Sequence, residues 1–518
     1  MLSKVVIAPK RYIALYALFT MAMVIASYVF VILLAAACIY APYSIIPYAG
    51  SAIFQPALLL LGGIVIAAVM LWSLIPRRDN FTAPGPLLLR ESHPRLFAEL
   101  DSIADALDEP LPAEVYLIGE VNAFVANRGG IFGFGSRRIM AIGLPLFSIL
   151  SVSEFRGILA HEFAHYYRGD TKLGPFVYKT QTAIIRTVKN IGSIQGAAGI
   201  HIVRVLYLFV ALILQHYFNL FLRVTNFVSR NKEYRADELA CLVTGVEPFI
   251  QGLRRIHGAG MAWPAYWNAE VVPVLNQSCI PPIADGFARF LVVPDIALQV
   301  AESIGKEIEE GKIDPYDTHP PLRDRIAAIE QLTVAANDQN SEMALSLLDS
   351  PDGAELQFVA FVNPTLEKEA LRRVSWDQIG PTVTIPAWKS IVTEYALLLQ
   401  GITAEAVPDF TQKLPEIGSR MRDPRGTLLT HEQRTQRAGH LVASALALAL
   451  LEKEWQLETR PGQFFFYRAT EKINVFALMQ ELLAGKIKKD DWIAKCTAAG
   501  INGSPLVPTD TLTPAGPA

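Results

Sequence analysis

The sequence has few cysteines and no excess of basic residues. Its four cysteines, at positions 38, 241, 279 and 496, have the spacing of neither a disulfide framework nor a structural zinc site. We therefore expect reduced, structural thiols. With 46 Lys and Arg against 49 Asp and Glu, the formal net charge is −3. The basic surface of a nucleic-acid-binding protein is therefore missing, and we expect no nucleic-acid partner.

Charge is absent from a long N-terminal segment. Residues 12–76 contain no Asp, Glu, Lys, Arg or His. Two apolar stretches within it, roughly 13–38 and 52–74, are each long enough to cross the ~30 Å hydrocarbon core of a bilayer as a helix. Pro42 and Pro47 mark the predicted turn between them. The first stretch is too long for the apolar core of a cleaved signal peptide, so both are predicted to stay in the mature protein.

Basic residues flank this pair of spans, and the loop between the spans carries no charge. Three precede the first span and two follow the second: Lys4, Lys10, Arg11, Arg77 and Arg78. Positively charged flanks stay in the cytoplasm. We therefore expect residues 1–78 to form a two-helix transmembrane anchor, with everything that follows on the cytoplasmic side.

The most informative pattern that is present is the string His-Glu-Phe-Ala-His at residues 161–165. On an α-helix His161 and His165 lie on the same face, so both imidazoles can bind one metal ion. Glu162 lies one step round the helix, where it can reach a water molecule rather than the metal. The string therefore predicts a metal site with its own general base.

The flanking residues indicate that this string is helical. Ser151 and Glu154 have the spacing of a capping box, and an apolar stripe follows them, so we expect a helix over 152–168 that ends at Gly169. A second string that begins His-Glu, at residues 431–435, lacks the second histidine. We interpret that one as a solvated stretch of helix.

A third ligand is predicted further along the chain. Glu233 and Asp237 are spaced i and i+4, so they share one face of a helix. We assign Glu233 as the ligand and Asp237 as a carboxylate that orients a ligand imidazole. Two His and one Glu with an open fourth position are typical of a hydrolytic zinc site rather than a structural one. The sequence therefore predicts one zinc ion (Zn²⁺) per chain, with Glu162 as general base.

An apolar stretch, about 202–227, separates the two halves of this site. Because the histidines and Glu233 must meet at one ion, the chain between them crosses a bilayer an even number of times. The partner segment, about 173–194, carries basic residues that are costly in lipid. We favour a helical hairpin, about 172–228, that packs on the catalytic domain and skims or dips into the cytoplasmic leaflet. Two full crossings are the alternative.

Strand patterns precede the metal helix. Residues 114–118 and 138–146 are predicted strands, and residues 122–126 continue the β pattern between them. A sheet edge beside a metal helix can bind an extended peptide of any sequence through main-chain hydrogen bonds. An ordinary core hairpin is the alternative.

The rest of the chain has fewer functional patterns. Residues 331–345 are polar and are predicted to be a linker. Residues 346–502 mix helical and short β signals, including a strand at 463–467, and are predicted to be a C-terminal α+β domain of unknown role. They contain no metal-ligand spacing, phosphate loop or nucleophile elbow. Residues 503–518 are rich in Thr, Pro and Gly and are predicted to be disordered.

Four pieces of the chain resemble, in order, the membrane zinc peptidase family that includes bacterial HtpX and the CAAX prenyl endopeptidases. They are Asn122-Ala123-Phe124, residues 161–165, residues 229–237, and Thr318-His319-Pro320-Pro321 with Arg325-Ile326. The resemblance covers roughly residues 80–330. Two leading spans and an apolar hairpin are more similar to HtpX than to the many-span CAAX enzymes. Residues 346–518 depart from the pattern, since HtpX-like proteins generally end soon after the His-Pro-Pro motif.

The resemblance implies a mainly helical α+β fold, in which residues 79–330 form a zinc peptidase domain related to thermolysin (the gluzincin type). It also implies that the substrate pairs as a strand near the four residues Asn122, Ala123, Phe124 and Val125. His319 and Arg325 become candidates for the rim of the active site, His319 in a catalytic role and Arg325 in substrate binding.

The function expected from these patterns is that of a zinc-dependent endopeptidase in the cell inner membrane. Its substrates would be polypeptides, and the resemblance implies misfolded membrane proteins. One alternative is a processing peptidase with a single dedicated target. Another is a catalytically silent membrane scaffold with structural zinc, and Glu162 speaks against it, because a structural site needs no general base.

Overall fold

A computed structural model describes residues 12–50, 53–75, 81–130, 135–167, 174–195, 201–365, 371–422 and 429–507. The chain divides into two compact units. The first comprises residues 1–261 and 298–363, and the second comprises residues 262–297 and 364–518.

The first unit contains thirteen elements of helix and four strands among the residues described. In chain order the regular elements are α1 (Tyr12–Ile45), α2 (Phe54–Leu74), β1 (Leu87–Leu88), α3 (Pro94–Leu107), β2 (Glu114–Ile118), β3 (Ala123–Arg128), β4 (Arg137–Gly143), α4 (Leu144–Ile149), α5 (Val152–Ala164), α6 (Gly174–Gln195), α7 (His201–Thr244), α8 (Val246–Tyr266), α11 (Pro294–Glu310), α12 (Leu322–Glu330) and α13 (Pro351–Val362), with 3₁₀ turns at Ile46–Tyr48 and Ala344–Leu347.

The second unit supplies the remaining elements. They are α9 (Val272–Leu275), β5 (Cys279–Ile280), α10 (Ile283–Leu291), β6 (Arg372–Arg373), α14 (Trp376–Ile379), α15 (Ile385–Glu394), α16 (Ala396–Leu399), α17 (Val407–Phe410), α18 (Leu414–Arg420), α19 (His431–Glu452), β7 (Gln456–Arg460), β8 (Gln463–Arg468), β9 (Glu471–Ile473), α20 (Val475–Leu483) and α21 (Lys489–Ala499). Two π-helical turns (Trp267–Val271, Gly380–Thr384) and two 3₁₀ turns (Ala404–Ala406, Thr411–Lys413) complete it. The chain is therefore mainly helical, as predicted.

The two predicted spans coincide with α1 and α2, but α1 is longer than predicted. It runs for 34 residues and continues past Pro42, where we expected the turn. Pro42 has no N–H, so the Cys38 carbonyl loses its helical partner. Gly63 of α2 packs on that carbonyl: a Cβ atom at Gly63 would lie 2.0 Å from the Cys38 oxygen. A neighbouring helix thus covers the freed carbonyl, as apolar helices with an internal proline require.

The hairpin predicted for about 172–228 corresponds to α6 and the first part of α7. However, α7 does not end there and extends without interruption for 44 residues. Buried apolar side chains of α1, α2 and α7 form one cluster: Val31, Ala35, Cys38, Ile66, Ala67, Met70, Val203, Tyr207, Val210 and Leu214. By length and apolar composition, three described helices can cross a membrane, at Leu18–Tyr48, Phe54–Leu74 and Val203–Thr244.

A four-stranded sheet precedes the metal helix, with strand order β1-β2-β4-β3. β2 pairs parallel to β4, and β3 pairs antiparallel to β4, with Val125 opposite Met140. The last strand was predicted to reach residue 146 but ends at Gly143, because α4 begins there with Pro145 in its first turn. Because β3 is the last strand in the order β1-β2-β4-β3, it lies at an edge of the sheet.

The predicted cap of the metal helix is confirmed. The Ser151 side chain accepts a hydrogen bond from the Glu154 amide, and the Glu154 side chain accepts one from the Ser151 amide. The helix itself is shorter than predicted and ends at Ala164. Gly169, predicted to end it, lies outside the described residues.

The segment predicted to be a linker, residues 331–345, is a structural part of the first unit. The Glu342 carbonyl accepts a hydrogen bond from the amide of Val152 at 2.7 Å, and the Asn340 carbonyl accepts one from Ser153 at 3.1 Å. These amides belong to the first turn of α5, where no intrahelical acceptor exists. The polar composition that suggested a linker therefore reflects a segment that caps a helix.

The second unit is built around α19, whose buried side chains are mainly alanine and leucine. A three-stranded antiparallel sheet, β7-β8-β9, adjoins it, and β8 corresponds to the predicted strand at 463–467. Residues 262–297 belong here because β5 pairs parallel to β6. The predicted C-terminal domain began at residue 346 and therefore left out residues 262–297, which this long-range pairing joins to it. Residues 503–507 belong to the segment predicted to be disordered, but Pro505 forms an antiparallel β-bridge with Thr403.

Candidate metal centre

The crossing of α5 and α7 brings the three predicted zinc ligands together. One ligand atom each of His161, His165 and Glu233 lies within 4.8 Å of the other two. The Nε2 atom of His161 is 3.3 Å from Glu233 Oε2, and the Nε2 atom of His165 is 3.6 Å from Glu233 Oε1. The two imidazoles thus converge from one helix on a carboxylate from the other.

Unsatisfied polar atoms show that these residues fit a metal ion. Glu233 Oε2 is buried, and neither it nor His161 Nδ1 receives a well-directed hydrogen bond, although possible partners lie within 3.3 Å. A buried carboxylate oxygen without a directed donor is costly. A cation bound by two imidazoles and this carboxylate would remove that cost, and the donor set is one that zinc accepts.

Asp237 lies behind the first imidazole, as predicted from its spacing. Its Oδ1 atom is 2.9 Å from His161 Nδ1, the nitrogen that faces away from Glu233. A carboxylate at this nitrogen fixes the tautomer and the orientation of the ring. The position of Asp237 is therefore that of a residue that orients a ligand.

Arg325 does not lie at the rim, where we predicted it. It is 6% exposed, and its guanidinium donates to both carboxylate oxygens of Asp237, from Nε at 3.0 Å and from Nη2 at 2.6 Å. A buried carboxylate needs a charged partner, and α12 supplies one where it packs on α7. The substrate-binding role is therefore corrected to that of a counter-ion for Asp237.

Opposite pKa shifts distinguish the two histidines. Burial alone would lower the pKa of His161, but the close carboxylates of Asp237 and Glu233 outweigh it and raise that pKa to about 9. Burial, followed by the positive charge of His161, lowers the pKa of His165 to about 4. In the metal-free protein at neutral pH, His161 is therefore protonated and His165 is neutral, and a metal ion must displace the extra proton of His161.

Glu162 has the protonation behaviour of a general base. It is half-buried on α5, and burial raises its pKa to about 7. A carboxyl group with a pKa near the working pH can both take up and return a proton.

His319 is held beside Glu233 by its loop. Its Nδ1 atom is 3.1 Å from Glu233 Oε2, and its side chain remains 57% exposed. The Arg230 guanidinium donates to the Asp317 carbonyl at 2.8 Å, and the His319 amide donates to the Asp317 side chain at 2.9 Å. Sequence reasoning missed Arg230, although it lies less than one turn before Glu233 on the same helix.

The predicted substrate strand adjoins the end of the metal helix. Ala123, Phe124 and Val125 are in the edge strand β3, and Asn122 precedes it and is exposed. The hydroxyl of Tyr166, the residue after the ligand His165, donates to the Val125 carbonyl at 3.0 Å. This bond links the edge strand to the metal helix.

Comparison with known proteins shows that this centre lies in a segment similar to a protease family. Residues 91–333 match the model of peptidase family M48. The chain is similar to Protease HtpX of Xylella fastidiosa (strain 9a5c), 26% identical over 224 residues that cover 40% of this chain and 63% of the relative. It is 28% identical over 242 residues to a Protease HtpX homolog of Campylobacter hominis, with 46% and 74% covered. It is 26% identical over 258 residues to Protease HtpX of Stenotrophomonas maltophilia (strain R551-3), with 46% and 73% covered.

The match thus spans less than two thirds of the first of these relatives. No solved structure matches the chain significantly. These matches confirm the resemblance predicted from the four sequence motifs.

Proposed function

We propose that this chain is a membrane-anchored, zinc-dependent endopeptidase of the HtpX-like part of peptidase family M48, because residues 91–333 match that family's model and the similar proteins are named Protease HtpX. One observation carries the proposal: two imidazoles, one from α5 and one from its C-cap residue, and a carboxylate from α7 converge within 4.8 Å, beside a glutamate that can act as base. His161, His165 and Glu233 would hold the zinc ion, one per chain.

The reaction is the hydrolysis of a peptide bond. A zinc ion held by His161, His165 and Glu233 would supply Lewis acidity to the scissile carbonyl and to the attacking water. Glu162 accepts the proton of the attacking water and returns it to the leaving amine, for which its pKa of about 7 is suited. The exposed ring of His319 lies where it can hydrogen-bond to the reacting group, which is the basis for its catalytic role.

Asp237 and Arg325 act through His161. Asp237 faces the Nδ1 atom of His161 and so holds a proton on that nitrogen. The Nε2 atom, on the side of Glu233, is then free to bind a metal ion. Arg325 neutralises Asp237, which would otherwise be a buried, unpaired charge.

The edge strand β3 supports main-chain recognition of the substrate. A peptide that adds to this edge is bound through its backbone, so its side chains contribute little to selection. Such a site suits a protease that degrades misfolded membrane proteins, which differ in sequence but share extended, exposed segments. A processing peptidase with one target remains the second candidate.

The membrane anchor supports a location in the inner membrane. The basic residues that flank the charge-free segment 12–76 place both ends of the anchor in the cytoplasm by the positive-inside rule. The first part of α7 contributes to the same buried cluster as α1 and α2, so we infer that the α6–α7 hairpin enters the lipid beside them. The peptidase domain then faces the cytoplasm.

Glu162→Gln separates the protease from a scaffold with structural zinc. The variant should keep zinc but lower kcat at least ~100-fold, the scale of lost general-base catalysis. Casein-type cleavage and zinc content of the purified full-length protein are the measurements. Glu432→Gln is the matched control, because Glu432 also follows a histidine on a helix but is exposed. Wild-type cleavage by Glu162→Gln would reject the proposed role.

A further inference from the structure

The outward side of α7 is apolar well beyond the part that packs on α1 and α2. Five side chains on one face of this helix are 49–64% exposed: Val205, Leu208, Leu212, Leu220 and Phe227. Steps of three, four, seven or eight residues keep them on one side. Exposed apolar side chains that recur on one side of a helix long enough to cross a membrane are typical of a lipid-facing surface, and the exposed His216 and Arg223 interrupt this stripe. The stripe indicates lipid contact as far as Phe227.

A loop from the peptidase domain lies over the end of this stripe. Arg223 is on the same side of α7, and its Nε atom donates to the Tyr316 hydroxyl at 3.2 Å while its guanidinium stacks over the Tyr316 ring. Arg230, two turns further on, donates to the Asp314 and Asp317 carbonyls. These contacts hold residues 311–318, which we name the interface loop, on the outward side of the helix.

We propose that the interface loop rests on the bilayer surface and holds the candidate metal centre close to the lipid. Ile313 and Tyr316 are 56% and 42% exposed, and Phe227, which is 54% exposed, follows Arg223 by four residues on α7. Glu233 follows Phe227 by six residues on one uninterrupted helix, which is about 9 Å along the axis. The candidate metal centre therefore lies about 9 Å along α7 from the end of the apolar stripe.

The chemistry of the loop fits lipid headgroups. Tyrosine and arginine are the residues that membrane proteins place at the interface, where an apolar ring meets a polar boundary. The exposed Lys312 adds a second cation. The carboxylates of Asp314 and Asp317 accept hydrogen bonds from the amides of Tyr316 and His319, two residues on, and so turn back onto the loop itself.

The substrate class follows, and this step rests on the proposed function. His319 comes directly after the interface loop and contacts Glu233. A site at this depth accepts an extended segment as it leaves the bilayer, since about three residues of extended chain span 10 Å. The preferred substrates are therefore the juxtamembrane segments of membrane proteins.

Depth-dependent fluorescence quenching tests the position of the loop without any measurement of activity. The four native cysteines are buried, so single cysteines at exposed sites can be labelled selectively in the full-length protein. Ile313→Cys and Tyr316→Cys carry the probe, in nanodiscs whose lipids bear a spin label near the headgroup. Leu212→Cys on the stripe and Val362→Cys, 47% exposed on α13, are the lipid-facing and solvent-facing controls.

We expect quenching at residues 313 and 316 to exceed that at Val362 clearly. Ile313→Cys leaves the Arg223–Tyr316 contact intact, so a result from that variant is free of a disturbed loop. Quenching at both sites that equals the Val362 level would overturn the proposal and point to solvent or a protein partner instead.

A substrate series tests the consequence. Model substrates with one transmembrane helix carry the same cleavable sequence about 5 or about 25 residues from the helix end. The proposal expects the short-spacer substrate to be cleaved at least as fast as the long-spacer one, because the centre is within reach of the short spacer. Cleavage of the long-spacer substrate alone would contradict the depth while leaving the protease proposal intact. Cleavage of neither would instead contradict the protease proposal.

Discussion

The two compact units of this chain differ in what they bury. The first unit buries four groups that carry or can carry charge around one helix crossing: His161, Glu233, Asp237 and Arg325. Among the described residues of the second unit, the only buried side chain that is neither apolar nor aromatic is Ser444, whose hydroxyl donates to the His440 carbonyl of its own helix. Buried charge costs stability unless it is paired. Its presence in one unit therefore points to chemistry there, whereas the second unit has the composition of a stable scaffold.

The largest effect is expected from the loss of a proposed zinc ligand in the first unit. Among the residues described, Glu233 supplies the one carboxylate that both imidazoles approach, so in Glu233→Ala zinc binding and peptide cleavage should fall to background, and added zinc should not restore them. His431→Ala, in the second unit, is the matched control and should leave both unchanged. Retention of stoichiometric zinc by Glu233→Ala would remove Glu233 from the ligand set.

The next effect concerns stability. Arg325→Met leaves Asp237 without its counter-ion, and loss of one partner of a buried pair costs about 3–5 kcal/mol. Ser444→Ala in the second unit should change the free energy of unfolding by about 0.5 kcal/mol or less, because it removes only a bond within one helix. Chemical denaturation of both variants measures the difference. Equal free energies of unfolding for the two variants would show that the buried Asp237–Arg325 pair contributes no more to stability than the Ser444 hydrogen bond.

A smaller effect is expected behind the ligand. Asp237→Asn keeps the shape of the side chain but weakens the interaction that orients His161, and loss of such a partner costs roughly 10–100-fold in metal affinity or activity. Excess zinc should partly restore cleavage. Zinc titration together with peptide cleavage decides the matter, and an unaffected variant would make Asp237 a structural partner of Arg325 only.

The most gradual effect is the pH dependence of metal binding. Because the pKa of His161 is raised to about 9, its proton must leave when zinc binds at any lower pH. The apparent zinc affinity should therefore rise by up to about tenfold per pH unit and level off above about pH 9. Titrations in metal-buffered solutions measure this slope. An affinity independent of pH between about 7 and 9 would contradict the assigned proton.

The parts of the site that sequence predicted are the local ones. The spacing of His161 and His165, the capping box at Ser151, and the spacing of Glu233 and Asp237 depend only on helix geometry. Arg325 was misplaced because its partner lies 88 residues away, and no periodic pattern links the two. A resemblance at the level of motifs gives the identity of such a residue but not the direction of its side chain.

The predicted linker and the predicted turn at Pro42 were wrong for the same reason. Composition suggested a linker at 331–345, but the segment provides acceptors for the first turn of α5. Proline suggested a turn at residue 42, but a glycine on the neighbouring helix covers the freed carbonyl. In both cases the deciding partner is distant in sequence, so local propensity could not identify it.

The most direct test of the central claim is elemental analysis of the full-length protein, purified without chelator and compared with Glu233→Ala. The account predicts about one zinc per wild-type chain, lost together with proteolysis on chelation, and none above background in the variant. A wild-type protein that cleaves peptides and contains no zinc, or a variant that retains the wild-type zinc content, would contradict it.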